Sequence, residues 1–371
     1  MIRTEKNELN FGIAEAPVKF KNMNRRNFMQ ESSLLVGGSL LASQLDSVRK
    51  LSTGIFNRDS IYGQNEKRYK LHKDWVRATF DKLPVNDCHE MIQDRKGRIV
   101  LLTNETKNNL IFFNRKGKVM QSWGHEFPGG HGLTFTEDDQ LLFITDTVRN
   151  QFYKSSLDGK IIQTWNFPVE SGKYTEAKQF VPTETVITNN GEIYVADGYG
   201  SQYIIHYDTK GNLKNIFGGR GNEDKHLDNA HGICIDYRTV PETLIVTDRT
   251  RCCFKRFTLS GEYIEKIELP GACVCRPVIK GNYLYSAVLR SPSLDFPDTG
   301  FVIILNKENK VISVIGGSEA AYDEKGKLKP FYQTIKLFRH PHDVLIDDEE
   351  NLYVCQWSSG KVYPYKFTPS A

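Results

Sequence analysis

The sequence predicts an all-β fold, a six-bladed β-propeller, and three observations carry that expectation. The chain has 17 Tyr, 21 Phe, 4 Trp and 29 Gly among 371 residues, a composition suited to many short strands joined by tight turns. Segments that alternate apolar and polar residues recur six times with hairpin punctuation between them. Four of these segments reach the polar markers Asn104, Asp146, Asp197 and Asp248, spaced by 42, 51 and 51 positions. Self-similarity at about 40–50 residues with four strands per unit is the mark of a propeller blade. A large β-sandwich does not predict such recurrence.

In chain order, residues 1–45 read as an export segment. Arg25 and Arg26 precede Phe28, and the weakly apolar stretch SSLLVGGSLLA occupies 32–42. A basic region followed by a short apolar one is a secretory pattern, and the paired arginines resemble the twin-arginine type. That implies a bacterial protein, exported already folded by the twin-arginine translocation machinery to the periplasm or beyond. No Cys follows the apolar stretch, so no lipid anchor is expected. Residues 46–80 are expected to be a linker and an N-terminal strand, and 81–371 the propeller.

The marker strands follow one another as GRIVLLTN (97–104), DQLLFITD (139–146), GEIYVADG (191–198), ETLIVTDR (242–249), GNYLYSAV (281–288) and NLYVCQW (351–357). A second apolar strand and a Gly-containing turn come after most of them, and then a third strand such as VMQSWG (119–124). The stretches around 289–300 and 316–338 are expected to shape the substrate entrance. Seven Cys leave at least one unpaired, and no paired CxxC motifs exist to build a zinc ribbon. Cys252, Cys253, Cys273 and Cys275 are expected in strands, with disulfide bonding left open.

Several functions are excluded by composition. Hydrophobic residues are 39% and the net charge is +4, which is not the balance of a disordered chain. No apolar run approaches the ~20 residues that span a bilayer, so no stable membrane insertion is expected. A net charge of +4 over this length does not suggest a nucleic-acid binder. A monomer acting on a small-molecule or peptide substrate is expected.

The strand before the marker strand begins with His in four blades, at His89, His131, His231 and His342. First strands of a propeller start near the central axis, so equivalent residues form a ring at one mouth of the channel. His131, His231 and His342 belong to blades two, four and six. Three neutral imidazoles converging with that symmetry make an open metal site with a fourth position for water or substrate. A His at a strand start can also serve only as a backbone cap. One His in each of three distant repeats favours the metal. His89 breaks the alternation and is expected beside the site in a supporting role.

These NHL-type repeats, with His-Gly starts, VADGYG and Thr-Asp-Arg, resemble the catalytic domain of peptidyl-α-hydroxyglycine α-amidating lyase and its bacterial propeller relatives. The resemblance spans roughly residues 85–370. It implies zinc on His131, His231 and His342, Tyr199 as catalytic base, and Arg249 in contact with substrate. It also implies a structural calcium on Asp343, completed by the backbone carbonyls of Met91 and Leu133. An Asp after a His can instead orient the imidazole, and both roles stay open for Asp343. Where the family has a catalytic Arg at the end of the first marker strand, this chain has Asn104.

The chemistry follows from the residue types. Zinc held by neutral imidazoles lowers the pKa of a bound hydroxyl. A phenol beside a dication and Arg249 favours its phenolate, so Tyr199 is placed to take the hydroxyl proton. Collapse of the alkoxide then breaks a C–N bond. The expected activity is a zinc-dependent lyase acting on a carbinolamide and giving an amide and a carbonyl product. Two alternatives stay open: a non-catalytic propeller binding a peptide, glycan or protein partner, and a calcium-dependent propeller hydrolase.

Overall fold

In the computed structural model, residues 60–136, 138–291, 300–359 and 361–370 are described. The expected export segment at 1–45 and most of the 289–300 stretch lie outside them. The described chain is an all-β, six-bladed propeller with six antiparallel sheets around one axis. No helix among the described residues is long and apolar enough to cross a membrane.

Blades one to five run outward from the axis in sequence order, and blade six does so until the chain's first strands complete it. The inner strands of blades one to six are Cys88–Gln93, Gly130–Phe135, Glu184–Ile187, Ile233–Asp236, Val278–Lys280 and Pro341–Ile346. The second strand is pressed between neighbouring blades, so it is apolar on both faces. Ile99–Thr103 and Thr243–Asp248 are buried throughout. The outer strand Val119–Trp123 alternates between half-buried and exposed positions because one face meets water. Gly159 and Gly211, at φ +95° and +85°, close the Asp-Gly-Lys and Lys-Gly-Asn turns in a conformation that a side chain disfavours.

The recurring marker residues are turn clamps. Asp146 accepts the N–H groups of Gly129, Val148 and Arg149, Asp197 those of Val181 and Ser201, and Asp248 that of Asp228. Each therefore ties the end of its strand to the chain entering the same blade. A short acceptor is needed once per blade, which explains the period.

The N-terminal strand expected within 46–80 is a hairpin built into blade six. Its strand Lys67–His72 pairs with Tyr365–Pro369, the chain's last strand, and Ile61–Gln64 makes the fifth strand of the sheet. Gln64 reaches on to blade five, where its backbone N–H donates to Ser313 Oγ at 2.9 Å. The indole of Trp75, just past the hairpin, donates to the Pro364 carbonyl at 2.6 Å. It packs edge-on against Phe113 and Tyr353. Trp75→Ala is expected to cost about 3–5 kcal/mol, the usual range for a buried aromatic, read as a lowered urea midpoint.

The cysteines are all free; of the four expected in strands only Cys253 lies in one, while Cys252 is in a turn and Cys273 and Cys275 lie on the segment leading into the inner strand of blade five. The 316–338 stretch folds onto blade five, with Leu328 and Phe331 in that blade's core.

Candidate metal centre

The six inner strands place two successive residues of each blade around the axis, in two tiers. One tier holds His89, His131, Thr183, His231, Cys275 and His342, in blades one to six. The tier next to it holds Glu90, Gly132, Glu184, Gly232, Arg276 and Asp343. Hydrogen bonds pass from blade to blade at the first level. His131 Nδ1 meets the Thr183 carbonyl at 2.8 Å, and His342 Nδ1 meets the His89 carbonyl at 3.0 Å. The Thr183 hydroxyl lies 3.3 Å from the Ala230 carbonyl.

All four histidines are buried and their rings cluster. Ring centroids are 4.7 Å apart for His131 and His231, 4.8 Å for His231 and His342, and 4.9 Å for His131 and His342. The His89 ring is 4.8 Å from both His131 and His342. His89 is thus a full member of the cluster, and its ring nitrogens lie within metal-sharing distance of those of His131 and His342. The sequence reading set it to one side because alternate blades suggested threefold spacing. The inner-strand register gives every blade a place on the axis, and blade one fills its place with His.

The surroundings set the tautomers of two of the imidazoles. Nδ1 of His131 and of His342 faces a carbonyl, which fixes its proton there and leaves Nε2 as the lone-pair nitrogen. The Nε2 atoms of His231 and His342 stand 3.1 Å apart. Burial, then the Arg249 guanidinium and the other rings, hold His231 well below the usual histidine pKa. Burial, His89, His131 and Arg249 do the same for His342.

Tyr199 and Arg249 complete the mouth. Asp197 turns the chain after the second strand of blade three, and Tyr199 projects from that turn with 41% of its surface exposed. Its hydroxyl is 3.2 Å from His131 Nε2 and 3.5 Å from Arg249 Nη1. Arg249 follows the blade-four marker Asp248. It is buried, with Nε 3.3 Å from the Val274 carbonyl and Nη2 3.2 Å from Cys275 Sγ. Beside Tyr199 lies a cavity of about 430 Å³, bordered by Gly200, Lys173, Lys178 and Arg220. The structure therefore gathers His131, His231, His342, Tyr199 and Arg249 at one mouth. The three basic residues of the cavity were missed, since no spacing rule links them to the blade repeat.

Asn104 does not point to this mouth. Its Oδ1 accepts from the Asp87 N–H at 2.9 Å and its Nδ2 donates to Asp87 Oδ2 at 3.0 Å. It clamps blade one as Asp146, Asp197 and Asp248 clamp theirs. By that register the blade-one counterpart of Arg249 is the next residue, Glu105.

The expected calcium site is also corrected. Asp343 Oδ1 and Oδ2 receive Nε and Nη2 of Arg276 at 2.9 and 3.0 Å. The Met91 carbonyl accepts from the same Nη2 at 3.2 Å, and the Met91 N–H donates to Asp343 Oδ2. A guanidinium thus occupies the oxygens offered to calcium, and the residues present do not fit that ion. Leu133 pairs with Ile144 in the blade-two ladder and is buried in the core there. Arg276 also lies 3.2 Å from Glu90 and 3.8 Å from Glu184. Burial pushes the Glu184 carboxyl up to about 7 against the pull of Arg276.

The residues do fit zinc at the histidine tier. Four buried imidazoles converge there, and the three whose ring nitrogens lie together within 4.8 Å are His89, His131 and His342, while His231 Nε2 is hydrogen-bonded to His342 Nε2. His231 Nε2 donates to His342 Nε2 and the Tyr199 hydroxyl to His131 Nε2, so nitrogens that would ligate an ion are bridged by protons that the ion would displace.

The chain is 30% identical over 164 residues to peptidyl-α-hydroxyglycine α-amidating lyase 1 of Drosophila melanogaster, 41% of this chain and 27% of that protein. It is 30% identical over 168 residues to a probable peptidyl-α-hydroxyglycine α-amidating lyase of Caenorhabditis elegans, 43% of this chain and 45% of that one. In both cases the aligned stretch spans less than half of the relative. No family model matches. Among solved structures, a streptogramin B lyase superposes with TM-score 0.54 at 11% identity, covering 81% of this chain and 98% of the other. A gluconolactonase from Xanthomonas campestris gives 0.54 at 10% identity, covering 84% and 95%. These likenesses show the propeller fold. The chain resembles the amidating-lyase family in sequence.

Proposed function

We propose that this protein is a zinc-dependent lyase that cleaves the C–N bond of a carbinolamide of the α-hydroxyglycine type. The carrying observation is the Tyr199 hydroxyl, 3.2 Å from a ring nitrogen of the histidine cluster and 3.5 Å from a buried guanidinium. Partial sequence likeness to proteins named amidating lyases supports the same reading.

His131, His231 and His342 would hold the ion, with His89 in reach of it. Bound there, zinc supplies Lewis acidity toward the substrate hydroxyl. Tyr199, as phenolate beside the Arg249 cation, takes the hydroxyl proton. The C–O bond becomes a carbonyl as the C–N bond breaks. The proton held by Tyr199 returns to the departing nitrogen, so an amide and an aldehyde leave and no redox partner is needed. Arg249 steadies negative charge on the reacting oxygen. Lys173, Lys178 and Arg220 border the adjoining cavity and suit an acidic group on the substrate.

One observation favours a second reading. Four imidazoles, with His89 as the fourth, can close the ion's coordination and leave a structural pin in a propeller that binds a partner at its mouth. Metal analysis together with turnover of a synthetic peptide ending in α-hydroxyglycine separates the two. About one zinc per chain with release of glyoxylate supports the lyase. Zinc without release supports the pin, and absence of zinc removes both.

A further inference from the structure

We infer that Arg276 is the resident cation of the channel, an internal guanidinium that does in this chain what a bound divalent ion would do at the tier beside the histidines. Blade five sends this one side chain across the axis, and three other blades answer it. Glu90 comes from blade one, Glu184 from blade three and Asp343 from blade six, at 3.2, 3.8 and 2.9 Å from Arg276 Nε. All three acids are buried, while the Arg276 side chain keeps 17% exposure. Its Nη2 also donates to the Met91 carbonyl at 3.2 Å and lies 3.4 Å from the Val344 carbonyl. Three carboxylates and two carbonyls make an oxygen set that suits a hard cation, and the guanidinium already fills it.

The other two blades make room. Gly132 and Gly232 complete this tier. A Cβ on Gly132 would stand 2.5 Å from the Thr183 carbonyl oxygen and 2.9 Å from Glu184 Oε1. One on Gly232 would stand 2.6 Å from the Arg276 Cα. The tier thus holds one guanidinium, three acidic side chains and two residues without side chains.

The arrangement also positions the histidines. Glu90 adjoins His89, Asp343 adjoins His342, and Glu184 follows Thr183, whose carbonyl receives His131. The inner strands of blades one and six, both hydrogen-bonded to this one guanidinium, cannot slide along the axis independently, and Glu184 brings blade three within ion-pair range of it, so the imidazoles beside them keep their mutual distances. Arg276 is a positioning residue for the metal centre.

The test compares calcium responses of the wild-type chain and Arg276→Ala, both prepared in calcium-free buffer. The wild-type thermal midpoint is expected to be unmoved by millimolar calcium chloride. Arg276→Ala, refolded with calcium present if it does not fold without it, is expected to bind one calcium by titration calorimetry and to regain several degrees. A second readout, which rests on the zinc reading, is zinc affinity: a loss of about 10–100-fold in the variant, restored by calcium. Arg276→Lys should remain indifferent to calcium. Two results overturn the inference. One is calcium binding by the wild-type chain that disappears in Asp343→Asn. The other is an Arg276→Ala protein that neither binds calcium nor is stabilised by it. Calcium binding needs no turnover, so this outcome is independent of whether the lyase assay succeeds.

Discussion

His231→Ala is expected to empty the metal centre, taking zinc from about one equivalent per chain to less than about a tenth. The wild-type His231 and His342 nitrogens face each other at 3.1 Å, and no carboxylate lies in the tier to replace either. The ring is buried, so the substitution leaves a small void in a region walled by strand backbone, and the fold should persist. Inductively coupled plasma mass spectrometry of purified protein reads the metal, and circular dichroism reads the fold. His89→Ala is the companion. If three imidazoles suffice, it keeps zinc with weakened affinity. Full retention of zinc by His231→Ala together with its loss in His89→Ala would show that the ion sits on His89, His131 and His342, and retention in both would end the reading of the site.

Tyr199→Phe is expected to lower kcat by about 10²–10⁴, the usual contribution of a positioned proton-transfer group, with zinc content and thermal midpoint unchanged. The ring is 41% exposed, so losing one hydroxyl removes little packing. It removes the hydrogen-bond partner of His131 Nε2 and Arg249. Because the phenol acts on the reacting proton and not on the bulk of the substrate, KM should move much less than kcat. Steady-state assay of glyoxylate release from a peptide ending in α-hydroxyglycine gives both constants. A variant with unaltered kcat would make Tyr199 a bystander at the mouth.

Much of the fold was legible because a blade needs the same parts each time. A strand pressed between blades must be apolar on both faces, and the marker acid must clamp a turn, so the period is written in the residue types. The three histidines in alternate blades were legible for the same reason. The His89 ring was discounted because symmetry was read from three blades rather than from the strand register of all six. Asn104 does in blade one the clamp's work that an acid does in blades two to four, since an amide offers the same acceptor. Arg276 was invisible. In the chain it is one basic residue before a proline, and only the closed ring brings it to carboxylates that lie 186 positions upstream at Glu90 and 67 downstream at Asp343. The spread of those partners carries no local pattern.

Blade six joins the strand Lys67–His72 to the strand Tyr365–Pro369. During synthesis, the earlier of these two, paired only with its hairpin partner Ile61–Gln64, must wait with its other edge open until nearly three hundred later residues have left the ribosome. Until then both rims of the incomplete toroid are open edges able to pair with other chains. A cell making this protein therefore needs either dilution or a chaperone for that interval, and the axial histidines cannot meet until it is over. On the zinc reading, a metal ion would enter this centre only after the ring has closed.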